Sequence, residues 1–282
     1  MPLRATGDIV AAAAAAGGGV AAFNVIQLEH AEALVAGAAR AACPVVLQIS
    51  ENAVAYHGGL EPLGRATLAV GHRAAVPVAV HLDHAESAEL VAEAVDLGFH
   101  SVMFDASRKP YDRNVAATAE VVATCHRRGV WVEAELGEIG GKDGVHAPGA
   151  RTEPEEAARF VAATGVDALA VAVGTSHAMT TRDAALDFPL IARLREAVDV
   201  PLVLHGSSGV ADADLTRAVE AGITKVNIAT HLNHAFTRAV RAYLDAHPDV
   251  VDTRAYLGAA REAVTDEVAR LLAVLRATPL QR

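Results

Sequence analysis

The sequence has little cysteine, few aromatic residues and fewer basic than acidic side chains. Its two cysteines, Cys43 and Cys125, stand in no paired motif, as is typical of reduced thiols in a cytoplasmic protein. The 24 Lys and Arg residues against 34 Asp and Glu residues give a formal charge of −10, which argues against a nucleic-acid surface. No stretch holds the ~20 strongly apolar residues of a membrane-spanning helix, so we expect no membrane domain.

The 282 residues, 52% of them hydrophobic, suit one large domain. Short apolar runs alternate with amphipathic stretches of helical length. The runs cover 20–25, 45–50, 77–82, 101–105, 130–136, 166–173, 201–205 and 225–230, and the stretches cover 29–41, 60–74, 86–97, 112–128, 153–164, 188–197, 212–221 and 231–246. Eight such units predict an α/β protein with a closed (β/α)8 TIM barrel, an open doubly wound sheet being the alternative. We predict one domain over 1–282, with a C-terminal helical extension from about 248.

Polar side chains gather where the predicted strands end, and three of them are histidines. The run "VAVHLDHAES" (78–87) ends in Asp83 and His84, and His177 and His205 follow strands six and seven. Catalytic residues of such barrels lie at these strand ends. Three imidazoles with an open fourth position suit a catalytic zinc ion. Four carboxylates lie nearby in the predicted rim: Asp83, Asp105, Glu133 and Glu135. Each is open to three interpretations, as a further metal ligand, as a hydrogen-bond partner of a ligand or as a general base.

Two glycine-rich segments complete the predicted rim. The turns "HGSSG" (205–209) and "NIAT" (227–230) follow strands seven and eight, where barrels commonly bind phosphate through backbone N–H groups. A tight turn with a purely structural role is the alternative. The loop 137–152, "GEIGGKDGVHAPGART", is either a surface connection or a loop that moves over the active site.

In order along the chain, "HLDH", "SVMFDAS", "VEAELG", "GTSH", "PLVLHGSSG" and "KVNIAT" resemble the class II, metal-dependent ketose-bisphosphate aldolases. The resemblance runs from "AAFNV" to "DTRAYLGAAREAV", nearly the whole chain. It implies that zinc is held by His84, His177 and His205, with Glu135 as a carboxylate near the metal. It implies that Asp83 is the general acid/base. The substrate-binding residues that it implies are Gly206, Ser208, Gly209, Asn227 and Arg254, the last reaching across a subunit interface. The positions at strand ends add three further substrate-binding candidates, Asn24, Ser50 and Thr230.

The same resemblance implies a homodimer or homotetramer, and the cysteine usage and the lack of a strongly apolar segment predict a soluble cytoplasmic protein. It implies sites for a second divalent ion near Glu135 and for a monovalent cation. Class I aldolases use a lysine Schiff base, but this chain has only three lysines. Lys109 and Lys142 fall in predicted loops, and the side chain of Lys225, near the start of strand eight, is expected toward the bottom of the barrel. A metal is therefore favoured over a lysine adduct for stabilising the enediolate.

Several positions depart from the family pattern. The loop usually reads like "GGQEDD" but here reads "GGKDG", which leaves Asp143 as the nearest replacement for the glutamate that moves the second proton. Ala178 replaces a glycine after His177, "DPR" has become "DTR", and His231 replaces a residue that is often acidic. These changes suggest slower turnover or an aldehyde other than glyceraldehyde 3-phosphate.

The sequence thus predicts an aldolase that cleaves fructose 1,6-bisphosphate or tagatose 1,6-bisphosphate to dihydroxyacetone phosphate and an aldehyde. A family member acting on another sugar phosphate or on an inositol-derived phosphate is an alternative. Two others are a metal-dependent sugar-phosphate isomerase or epimerase, and a binding protein that has lost activity through the altered loop.

Overall fold

The computed structural model describes residues 3–136, 151–175, 182 and 184–278. Eight parallel strands close into a barrel in chain order, so the predicted (β/α)8 barrel and its single domain are confirmed. The strands are β1 Val20–Asn24, β2 Val45–Ser50, β3 Val78–Ala85, β4 Ser101–Phe104, β5 Trp131–Leu136, β6 Ala168–Val171, β7 Leu202–Leu204 and β8 Ile223–Ile228. The polar rim predicted from the strand ends therefore lies around one mouth of the barrel.

Helices surround the barrel. They are α1 Thr6–Ala15, α2 Leu28–Ala41, α3 Glu51–His57, α4 Glu61–His72, α5 Ala88–Leu97, α6 Tyr111–His126, α7 Pro154–Thr164, α8 Phe188–Ala197, α9 Asp212–Ala221, α10 Thr230–Ala246 and α11 Thr253–Val274. The short α3, capped by Ser50, is absent from the sequence prediction because it begins directly where β2 ends. Within the described part of the chain, none of the helices is long and apolar enough to cross a membrane.

The barrel interior is built from small side chains below and polar ones above. The buried faces of α1 and of the first three strands form one cluster, in which Ile9 and Val10 pack beside Val20, Val46 and Ala79. Because side chains alternate between the two faces of a strand, the inward residues further along these strands include the polar ones nearer the site. The α1 helix thus covers the barrel end opposite the predicted site.

The C-terminal helix α11 packs closely against α2 at Gly37. A Cβ atom added at Gly37 would lie 2.6 Å from the carbonyl oxygen of Thr265 and 2.6 Å from the Cβ of Val268. The glycine therefore allows the two helices to approach closely. The loop between α10 and α11 lies far from this contact and exposes Val251 almost fully.

Candidate active site

A bulge in β3 aims two consecutive side chains at the same site. Leu82 pairs with Val102 and Ala85 with Phe104, so β3 contains one residue more than β4 between the two pairs. Consecutive strand residues normally face opposite sides. At the bulge His84 takes a left-handed backbone with φ of 53°, uncommon outside glycine, and this lets both Asp83 and His84 reach the cavity.

Two imidazoles meet above the barrel with their ring nitrogens 3.0 Å apart, Nε2 of His84 and Nδ1 of His205. The other nitrogen of each ring is bound to a carboxylate. Nδ1 of His84 lies 2.7 Å from Asp105, and Nε2 of His205 lies 2.9 Å from Glu133. Because a carboxylate only accepts hydrogen bonds, each outer nitrogen carries the proton. Each neutral ring therefore points a lone pair at the other.

Two ring nitrogens that face each other in this way need either a shared proton or a bound metal ion between them. Their separation is close to the roughly 3.3–3.4 Å between two nitrogens on a tetrahedral zinc with bonds of about 2.0–2.1 Å. Carboxylates on the outer nitrogens are the usual support for metal-binding histidines. The donor set thus fits zinc. His177 lies outside the described residues, as does Asp143.

Two overlapping groups of potential metal ligands share His84. One contains Asp83, His84 and His205, and the other contains His84, Asp105 and Glu135, with the ligand atoms of each group within 4.8 Å of one another. A carboxylate oxygen of Glu135 also lies 3.8 Å from Nδ1 of His205. Both groups use His84, so the ion positions that they mark overlap.

The Asp83 carboxylate is held by two amide donors. Nε2 of Gln48 donates to Oδ2 over 3.2 Å, and Nδ2 of Asn227 donates to Oδ1 over 3.1 Å. Gln48 also donates to Oδ1 of Asn24 over 2.7 Å. Burial raises the pKa of Asp83, and the nearby His84 opposes part of that rise. A carboxyl with a raised pKa beside the cavity is suited to accept and return a proton.

Lys225 corrects one expectation from the sequence. Its side chain does not lie at the bottom of the barrel: Nζ is fully buried below the site, 2.8 Å from Oε2 of Glu133 and 2.7 Å from Oδ1 of Asn227. The strand begins at Ile223, two residues earlier than predicted, and Lys225 pairs with Val20, the first residue of β1, so the side chain reaches the site by extending upward from a low position in the barrel. Alternation then puts it on the same inward face as Asn227.

The turns after β7 and β8 form the opposite wall. Gly206 adopts a left-handed backbone with φ of 65°, and residues Ser207–Gly209 make one turn of 3₁₀ helix. Ser207 donates its hydroxyl to the carbonyl oxygen of Asn227, and Ser208 accepts from the backbone N–H of His231. Together they tie the β7 turn to the start of α10.

These elements surround one cavity of about 670 Å³. Its lining includes, of the predicted substrate residues, Asn24, Ser50, Gly206, Ser208, Asn227 and Thr230, together with Asp83 and His84. Gly209 is buried behind the wall, where its carbonyl oxygen accepts from the N–H of Ala184. Arg254 is elsewhere: its side chain is 89% exposed at the start of α11 and pairs with Asp252.

Several residues near the site lie outside the set predicted to act in it. Gln48 and Lys225 are absent from that set, although each is a polar residue two positions before a predicted one on the same strand. His81 lies fully buried below the site, and its Nδ1 is 2.7 Å from Oγ of Ser101. His231 does not line the cavity, because its imidazole binds Glu267 on α11.

Comparison with known proteins points the same way as the geometry. Residues 4–278 match the family model for class II fructose-bisphosphate aldolase. The YdjI aldolase from Escherichia coli K12 shares 32% identity, with a TM-score of 0.86 and 98% of each chain covered. A candidate fructose-1,6-bisphosphate aldolase from Coccidioides immitis shares 31% identity, with a TM-score of 0.86 and 96% of each chain covered.

A third structure, the fructose-bisphosphate aldolase of Campylobacter jejuni, shares the fold at 22% identity, with a TM-score of 0.82 over 98% of this chain and 96% of that one. The family match spans nearly all of the sequence, and it agrees with the barrel and with the motifs at its mouth. The chain belongs to the class II fructose-bisphosphate aldolase family and is an aldolase, a carbon–carbon lyase.

Proposed function

We propose that this enzyme is a zinc-dependent aldolase that reversibly cleaves a ketose phosphate to dihydroxyacetone phosphate and an aldehyde. The observation that carries the proposal is the pair of imidazole nitrogens, 3.0 Å apart, each backed by a carboxylate. The ligands proposed are His84 and His205, joined by His177 and, at an adjacent position, Glu135. Of these, His84 lines the cavity bounded by the turns after β7 and β8.

The proposed chemistry divides between the metal and Asp83. When bound, zinc supplies Lewis-acid stabilisation of the enediolate charge left on the triose. Asp83 takes the proton from the hydroxyl of the carbon that becomes the aldehyde, and returns it in the synthetic direction. The amides of Gln48 and Asn227 hold that carboxylate in place. Asp143 is the proposed second proton-transfer residue.

The phosphate of the triose is proposed to lie at the β7 and β8 turns. Gly206, with its left-handed backbone, and Gly209 shape the turn, and Ser208 and Thr230 offer hydroxyl groups. The start of α10 at Thr230 adds backbone N–H groups and the positive end of a helix dipole, which favour an anion. Asn24, Ser50 and Asn227 are the proposed contacts to the sugar. A monovalent cation near this phosphate is part of the same proposal.

The wall across the cavity from the β7 and β8 turns is proposed to face the aldehyde half of the substrate. Arg108, Glu51 and Glu86 line it, and Arg108 lies 3.7 Å from Glu86. Among the residues that the structure describes, one guanidinium with two carboxylates is a poor site for a second phosphate. Fructose and tagatose 1,6-bisphosphates therefore need Arg254 from a second copy, whereas a ketose 1-phosphate, including one from another sugar or from inositol breakdown, does not.

A homodimer or homotetramer is proposed on the same ground. Arg254 and Val251 lie at the exposed end of the α10–α11 pair, away from the cavity of their own chain. A second divalent ion is proposed near Glu135. Location in the cytoplasm stays a prediction from the sequence.

A substrate panel tests the proposal. The protein is supplied with fructose and tagatose 1,6-bisphosphates and with ketose 1-phosphates of differing length, and triose phosphate release is followed through a coupled dehydrogenase. We expect release from at least one substrate, loss of release after chelation and recovery with zinc. Isomerised sugar without triose phosphate would favour the isomerase alternative. Cleavage that survives the chelator and is trapped by borohydride would contradict the metal mechanism.

A further inference from the structure

We propose that Lys225 is a positioning residue that sets, at once, a metal-binding histidine and the proton-transfer carboxylate. The inference rests on the proposed function, since it concerns how the metal ligands are held. Lys225, Glu133 and His205 are all fully buried, and no solvent reaches the ammonium group. A buried charge of this kind is retained only with partners placed close to it.

One branch of the arrangement leads to His205. Nζ of Lys225 lies 2.8 Å from Oε2 of Glu133, and Oε1 of the same carboxylate lies 2.9 Å from Nε2 of His205. The ammonium fixes one oxygen of Glu133, which leaves the other turned toward the imidazole. The proton on Nε2 is thereby held at the carboxylate, and the lone pair on Nδ1 is aimed at the metal position.

The other branch leads to Asp83 through Asn227. An ammonium has only donors, so the oxygen of the Asn227 amide must face Lys225, at 2.7 Å. The amide NH₂ is then forced toward Asp83, where Nδ2 donates to Oδ1 over 3.1 Å. Without the ammonium, the amide is free to turn its oxygen to the carboxylate, which would repel it.

The two branches meet in one side chain. Lys225 thus couples the orientation of a ligand to the orientation of the acid/base, and a change at this position should affect metal binding and turnover together. Glu133 bonds to His205 but not to Asp83, and Gln48 bonds to Asp83 but not to a carboxylate that supports a metal-binding histidine. Asn227 also reaches both, since its Nδ2 lies 3.1 Å from Oδ1 of Asp83 and 3.1 Å from Nε2 of His205. Lys225 sets the orientation of that amide as well as that of Glu133.

The test replaces Lys225 with a side chain of similar length that has no charge, Lys225→Met. We expect the zinc affinity of the metal-free protein, measured by competition with a chromogenic chelator, to fall by about 10- to 100-fold. We expect kcat to fall by at least about 10-fold, since displacing a reacting group costs as much as about 100-fold. The matched control is Lys109→Met, on an exposed loop, which should change neither quantity.

A double variant separates positioning from mere stability. Lys225→Met leaves Glu133 buried without its ammonium, so the single variant loses stability; adding Glu133→Gln removes that charge and should restore the urea midpoint. On our proposal kcat stays low in the double variant, because Asn227 still lacks its anchor. Recovery of kcat and of zinc affinity together with stability would overturn the inference. If the wild type itself binds no divalent ion, the proposed function fails instead.

Discussion

The substitution Asp83→Asn separates proton transfer from metal binding. Asp83 is placed where it could do either, because its carboxylate belongs to a potential ligand group with His84 and His205. Its two oxygens are, however, already engaged by Gln48 and Asn227. We therefore expect the variant to keep its zinc and to lose its catalyst for proton transfer.

The size of the effect follows from that assignment. General acid–base catalysis is worth about 10²–10⁴ in rate, or about 3–5 kcal/mol of barrier. In the variant, the new side-chain oxygen accepts from one of the two donors, Gln48 or Asn227, and the new NH₂ group faces the other. The cost in stability is one hydrogen bond, about 1 kcal/mol, offset in part because a buried carboxylate is removed.

Three measurements decide the outcome: kcat from triose phosphate release, zinc per chain after dialysis, and the free energy of unfolding in urea. The comparison variant is Asp105→Asn, since Asp105 supports His84 without taking part in proton transfer at Asp83. It should weaken zinc binding by about 10- to 100-fold. If Asp83→Asn lost its zinc as readily as Asp105→Asn, Asp83 would be a ligand and the assignment of the acid/base would be wrong.

Three other substitutions have definite expected outcomes. His30 is buried, and burial lowers its pKa to about 4, so the unfolded state binds a proton more readily as the pH falls below the usual pKa of about 6.5. Relative to His30→Phe, the wild type should lose about 2 kcal/mol of unfolding free energy between pH 7.5 and pH 5, and an equal change in the two proteins, measured in urea, would refute this. Gly37→Ala should lower the free energy of unfolding in urea by about 1–3 kcal/mol, because the added Cβ would lie 2.6 Å from Val268. The control Gly258→Ala, whose added Cβ would meet nothing within 4 Å, should raise it by about 0.5–1 kcal/mol, and equal effects would contradict the close approach of α2 and α11. Ser208→Ala should raise KM for dihydroxyacetone phosphate by about 10-fold with little change in kcat, and an unchanged KM would remove Ser208 from the phosphate site.

The sequence predicts the barrel well because its signals are local. Each strand and helix shows its own periodicity, and the polar residues at the strand ends follow from that assignment. Strand alternation also contains the positions of Gln48 and Lys225, two residues before Ser50 and Asn227. The prediction for Lys225 sets the start of β8 two residues late, and it misses the reach of the side chain, whose Nζ extends from the level of Val20 to Glu133 and Asn227.

Other features depend on contacts between distant segments. The bulge that turns His84 toward His205 arises from the pairing of β3 with β4, which no periodicity in β3 reveals. The sharing of Glu133 between Lys225 and His205 likewise joins three strands. The roles of His177 and Asp143 remain predictions from the resemblance.

The central claim is that a single divalent ion lies between two imidazoles and carries the charge released by bond cleavage. Anomalous diffraction from crystals of the zinc-loaded, active protein, recorded on both sides of the zinc absorption edge, tests it most directly. We predict one strong peak bonded to Nε2 of His84 and Nδ1 of His205, which vanishes below the edge. Zinc bound somewhere else in a protein that cleaves its substrate, with no peak between these two rings, would contradict the account.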